Sequence, residues 1–134
     1  MQFQVRVLVL TIFALACVGA LYLGLADLSL PHDKVIHFST FFILSTLFYW
    51  LFKTRYRYFA SISTFIICTI CGSVGSEFLQ HWVSPYRTFD KHDIIANLCG
   101  SFAAIIVSEL YRYFLHIDEQ NTYYESVPLN DIIL

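Results

Sequence analysis

Apolar residues in this chain come in long blocks, not in the spaced repeats of amphipathic elements. The first block, residues 7–26, carries no charged or amide side chain. A helix of about 20 residues rises roughly 30 Å, the thickness of a bilayer's hydrocarbon core. A second block covers residues 35–52 and ends in Phe48, Tyr49 and Trp50. A third covers about 59–83 with Trp82 at its far end, and a fourth covers 94–115 and closes on Tyr111 and Tyr113. Aromatic rings at block ends suit the headgroup level of a membrane. The connections, residues 27–34, 53–58 and 84–93, are short and polar. This pattern predicts an all-α membrane protein, a four-transmembrane-helix bundle with short loops over residues 1–115. The polar stretch 116–134 reads as a disordered cytoplasmic tail.

The first block has a second reading as a cleaved signal peptide, because Arg6 precedes it and Ala14-Leu15-Ala16-Cys17 loosely resembles a cleavage site. Apolar character continues well past Cys17, which favours a retained span. Basic residues then set the orientation. With four spans, Arg6, Lys53, Arg55, Arg57 and Arg112 share one side, and Lys34, Arg87 and Lys91 lie on the other. This bias predicts both termini in the cytoplasm.

Composition agrees with a membrane solvent. The 134 residues allow one domain, and only 13% are charged against roughly 25% in soluble domains. Hydrophobic residues reach 57%, with thirteen Phe and nine Tyr, more apolar surface than so small a soluble core could hide. A net charge of −2 without a basic block excludes nucleic acid as a partner. Cys17, Cys68, Cys71 and Cys99 all fall inside the blocks. Cys68-x-x-Cys71 lacks a second ligand pair at zinc spacing, so these read as small packing residues.

Polar side chains inside a span are costly and call for a cause. Asp33, Lys34 and His37 open the second block; Glu77, Gln80 and His81 lie near the end of the third; Arg87 follows in the loop; Asp93 and Asn97 open the fourth. Successive spans alternate direction, so all nine meet at the non-cytoplasmic face. Helical spacing puts Asp33 with His37, Glu77 with Gln80 and His81, and Asp93 with Asn97 and Gly100 on shared faces. Gly72, Ser73, Gly75, Ser76, Ala104 and Ser108 would let helices approach closely.

Several of these residues have a plain structural reading as well. Asp93 could serve the helix dipole, with Asp90 as N-cap, as readily as a site. An isolated Lys34 is expected to snorkel to the headgroups. Arg87 fits either a headgroup anchor or the site, and His92 a solvated surface. Glu109 and Arg112 read as an interfacial pair outside the site. Glu77 lies six residues inside its block, roughly 9 Å deep, and must be neutral or paired.

The order Asp33-Lys34-x-x-His37, Glu77-x-x-Gln80 and Arg87-Thr88-Phe89-Asp90-x-x-Asp93-x-x-x-Asn97-x-x-Gly100 resembles the VanZ-like family of small integral membrane proteins, over residues 31–108. The family takes its name from a member associated with teicoplanin resistance, and some members carry a phosphotransbutyrylase label. The resemblance implies a shared polar site, not a reaction. An acyltransferase acting on a soluble substrate would need a large site outside the bilayer, which this chain lacks.

Two functions follow from these residues. In the first, Asp33, Lys34, His37, Glu77, Gln80, Arg87, Asp93 and Asn97 hold a lipid or lipid-linked headgroup. Lys34 and Arg87 would clamp phosphate, and Glu77, His37 and Asp93 are the candidates for moving a proton. In the second, the same groups form a structural network that fixes helix register. A proton-coupled carrier is disfavoured because the cytoplasmic half reads as apolar. Membrane lipids are the expected partners, and no oligomeric state is assigned. A metal among His37, Glu77, His81 and Asp93 is conceivable, but no tight ligand motif calls for one, so no cofactor is expected.

Overall fold

Each long apolar block forms a helix, the conformation in which a segment satisfies its own backbone hydrogen bonds without help from solvent. In the computed structural model, the described residues are 3–25, 31–54, 56, 58–85 and 88–126, with side chains described at 5–24, 31–54, 56, 58–85 and 88–116. Helix α1 spans Val7–Leu25 and α2 spans Asp33–Tyr49. Helix α3 spans Phe59–Val83, and α4 spans Lys91–Ser126. A short antiparallel pair joins β1, Phe3–Val5, to β2, Phe52–Thr54. That pair was not expected, and it takes Phe52 out of the second block. Helix α2 accordingly starts before and ends before the predicted 35–52.

Three helices, α1, α3 and α4, are long and apolar enough to cross a membrane. Helix α2 has 17 residues, and at ~1.5 Å per residue it sits at the short edge of a span. The expected disordered tail differs at its start, since α4 continues as helix to Ser126. No Pro or Gly interrupts the chain between Gly100 and Pro128, so nothing breaks the i→i+4 ladder there.

The interior is polar and the exterior apolar. Among the described residues, Ser45, Thr64, Thr69, Ser73, Glu77, Asn97, Ser101 and Ser108 are buried, while Leu8, Leu15, Val35, Ile66, Phe78, Trp82 and Val107 are exposed. A soluble protein would show the reverse. Helix α2 packs along α4, and the two backbones come close at Gly100, where a Cβ would collide with the Phe38 carbonyl. Mid-bundle, Ser45 Oγ donates to Ser101 Oγ at 2.7 Å, and Thr69 Oγ1 lies 2.7 Å from the same atom.

Helix α3 changes pitch in its middle. Residues Phe59–Thr64 are α-helical, Phe65–Gly72 form a π segment, and Ser73–Val83 are α-helical again. Ser63 and Thr64 bond back to the carbonyls of Phe59 and Ala60 just before the change, a habit that loosens the α ladder. The Ser73 hydroxyl then reaches the carbonyl five residues back, Cys68 O, at 3.3 Å. The segment leaves Thr69, Ser73 and Glu77 buried at four-residue spacing. It also separates the Cys68-x-x-Cys71 pair, with Cys68 buried and Cys71 exposed. Cys99 is exposed too, so it does not pack in the interior as expected.

Candidate functional site

Three helix ends meet at the end of the bundle opposite the β1–β2 pair. The start of α2 is set by His32, whose backbone is left-handed at φ 59°. That turn follows Pro31 and delivers Asp33 and Lys34 to the first turn of α2. The start of α4 is set by Asp90, whose carboxylate accepts the His92 amide at 2.8 Å as an N-cap does.

Lys34 does not snorkel as an isolated cation. Its Nζ donates to Asp90 Oδ2 and Asp93 Oδ1, joining α2 to α4, and lies 4.0 Å from Asp33. Burial pulls the Lys34 ammonium down, but the hydrogen bonds to Asp90 and Asp93 outweigh it and raise its pKa from 10.5 to about 12. The same Lys34 bond, helped by the His92 amide, holds Asp90 below its usual carboxylate value. Asp93, only 3% exposed, is therefore a buried ion-pair partner as well as a helix-dipole residue.

His37 sits one turn further in. Its Nδ1 lies 3.0 Å from Asn97 Oδ1, and its Nε2 lies 3.5 Å from Asp93 Oδ2 and 3.6 Å from Asp33 Oδ1. The Asn97 amide is oriented in turn by α3, because its Nδ2 donates to the Ser73 carbonyl and to Ser76 Oγ, both at 3.4 Å. Glu77, 1% exposed, accepts the Asp90 amide at 3.2 Å on Oε1, and its Oε2 is buried without a partner among the described residues.

Beside this cluster lies a cavity of about 390 Å³ between α1, α2 and α3. Phe13, Leu21, Phe41, Leu44, Ile67 and Leu79 line its apolar part, and Asp33, His37 and Gln80 line its polar part. Gln80 Oε1 is buried with no partner among the described residues.

Of the sequence-predicted residues, the structure brings Asp33, Lys34, His37, Asp93 and Asn97 into direct contact, with Glu77 tied in through Asp90. Gln80 joins through the cavity. Arg87 lies outside the described residues. His81 is exposed, with its ring edge-on to Phe89 at 6.2 Å.

Sequence reasoning missed Asp90 as a partner of Lys34, although Asp90, Asp93 and Asn97 share a face at three- and four-residue steps. It missed Ser73 and Ser76 as polar partners because they read as small packing residues. It also missed the polar knot at the other end. Tyr49 Oη donates to Glu109 Oε1 at 2.8 Å, and Ser61 Oγ donates to the same oxygen. That half of the interior is therefore not wholly apolar, as had been expected.

The VanZ/LLP1 family model matches residues 4–112. An uncharacterized protein of Schizosaccharomyces pombe is 42% identical over 114 residues, covering 84% of this chain and 69% of the relative. An uncharacterized protein of Saccharomyces cerevisiae is 38% identical over 81 residues, covering 55% of this chain and 74% of the relative. No solved structure matches the chain.

Proposed function

The chain belongs to the VanZ/LLP1 family, and from that premise we propose that it is a four-span membrane protein that binds a lipid or lipid-linked headgroup at the non-cytoplasmic face. The observation that carries this reading is the meeting of an apolar cavity with a charged cluster. A lipid has the same two-part chemistry. The cavity of about 390 Å³ falls in the range of ligand pockets, and Asp33 and His37 belong both to its wall and to the cluster. An acyl or isoprenoid chain would lie against Phe13, Leu44 and Ile67, and the polar head would meet His37, Lys34 and Gln80. In this reading α2 completes the span count despite its length, because its polar first turn lies at the headgroup level. The excess of basic residues around Lys53, Arg55 and Arg57 supports an orientation with both termini in the cytoplasm.

The test is a mass-spectrometric profile of lipids that co-purify with the intact chain and with Asp93→Asn, at matched expression. The proposal expects one phospholipid or lipid-linked species to be enriched with the intact chain and lost with the variant. Identical profiles from equally folded proteins contradict it.

A second reading is favoured by the Ser45–Ser101–Thr69 contacts and the Asn97 bonds, which could serve only to lock helix register. It expects Asp93→Asn to lower folded yield and to leave the lipid profile of the remaining protein unchanged.

A further inference from the structure

We infer that Asp33, His37 and Asp93 form a binding site for one divalent transition-metal ion of the zinc class. The inference starts from Asn97. The Ser73 carbonyl can only accept, so the Asn97 atom facing it is the amide nitrogen. Asn97 Oδ1 then faces His37 Nδ1, and since that oxygen can only accept, Nδ1 carries the ring proton. In the neutral ring Nε2 is left with its lone pair, directed toward Asp93 Oδ2 and Asp33 Oδ1. Two carboxylate oxygens and an imidazole nitrogen thus face one another within 4.8 Å.

A second ring proton does not fill that space well. A charge-assisted N–H···O bond is about 2.7–2.9 Å long, whereas Nε2 stands 3.5 and 3.6 Å from the two oxygens. Ligands about 2.1 Å from a tetrahedral ion sit roughly 3.4 Å apart, close to both observed separations. The donor set, one imidazole with two carboxylates, suits a transition metal such as zinc or manganese better than calcium, which takes about six to eight oxygens.

The surroundings behave as a metal's outer shell does. Asn97 fixes the ring tautomer and orientation, and Lys34 holds the other Asp93 oxygen. Charge agrees as well. With His37 neutral, as a metal ligand must be, Asp33, Asp90 and Asp93 against Lys34 leave two negative charges, which a divalent ion would neutralise. Asp33 and His37 also line the cavity, so an open coordination position would face it. The site itself stands apart from the lipid reading. Only a role in gripping the headgroup rests on that reading.

The test uses the full chain purified in detergent and stripped of metal by a chelator, then titrated with Zn²⁺ against a chromophoric competitor. The inference expects about one Zn²⁺ per chain, at least about tenfold weaker binding in Asp33→Asn and His37→Gln, and unchanged binding in His116→Gln, several turns along α4 from the cluster. Asp33 has a side chain 45% exposed, so Asp33→Asn decides the matter if His37→Gln does not fold. No Zn²⁺ uptake by the wild-type chain overturns the inference, as does uptake that a folded Asp33→Asn leaves unchanged. Co-purified lipid is measured on the same samples. Lipid retained without metal sinks the metal site alone, and metal bound without lipid sinks the headgroup reading alone.

Discussion

Lys34 shows how one side chain sets the geometry at the polar end. It reaches from the first turn of α2 to Asp90, the N-cap of α4, and to Asp93 in the first turn of α4, and Lys34 and Asp90 hold one another charged. The sign of the resulting pH dependence follows from both shifts. Asp90 titrates below its ordinary value in the fold, so its share is present above that value and fades as pH falls through the folded one. Lys34 titrates near 12 in the fold, so its share is complete below 10.5 and fades as pH rises toward 12. Thermal unfolding of wild type and Lys34→Met in detergent should therefore differ by a constant amount from pH 5 to 9, with the gap narrowing below about pH 4. His32 offers a second test. Its left-handed backbone costs a β-branched residue about 1–2 kcal/mol. His32→Val should lower stability by that amount and His32→Gly should not, as denaturant titration would report.

At the scale of elements, the close approach of α2 and α4 at Gly100 holds the cluster in register. Adding a methyl group there must push the Phe38 carbonyl away, a strain of about 1–3 kcal/mol. Gly100→Ala should lower the melting temperature and also loosen His37, the neighbour of Phe38 on α2, from Asn97, one turn before Gly100 on α4. The helices themselves were legible in the sequence, because uninterrupted apolar runs bounded by aromatics leave little choice of conformation. The end of α3 at Val83 was legible for the same reason. The π segment was not, since Phe65–Gly72 reads as an ordinary apolar run, and the pitch change rests on back-bonding by Ser63 and Thr64. The continuation of α4 past His116 was missed because polarity was taken for disorder, while no residue there stops a helix. The pairing of β1 with β2 depends on two segments far apart in sequence, which no local pattern signals.

For the whole molecule, the inverted distribution of polarity carries the membrane assignment, and the proposed topology makes a direct prediction. In a chain freed of its native cysteines, His92→Cys should react with a membrane-impermeant maleimide from the non-cytoplasmic side, and Tyr56→Cys only after permeabilisation. Both positions are exposed. The convergence of Asp33, His37, Asp93 and Asn97 was legible from alternating span direction and helical spacing together. The cavity beside them was not, because an empty volume between α1, α2 and α3 leaves no mark on any single segment. That cavity is also where the proposed function is most exposed to test. Leu44 lines it without bonding to the charged cluster, so Leu44→Trp fills the space and leaves Lys34, His37 and Asp93 in place. The decisive measurement is native mass spectrometry of purified wild-type and Leu44→Trp protein, equally folded, with bound lipid identified. The proposed site predicts a defined lipid on the wild-type chain and its loss from Leu44→Trp. The same lipid retained at equal occupancy in both would contradict it.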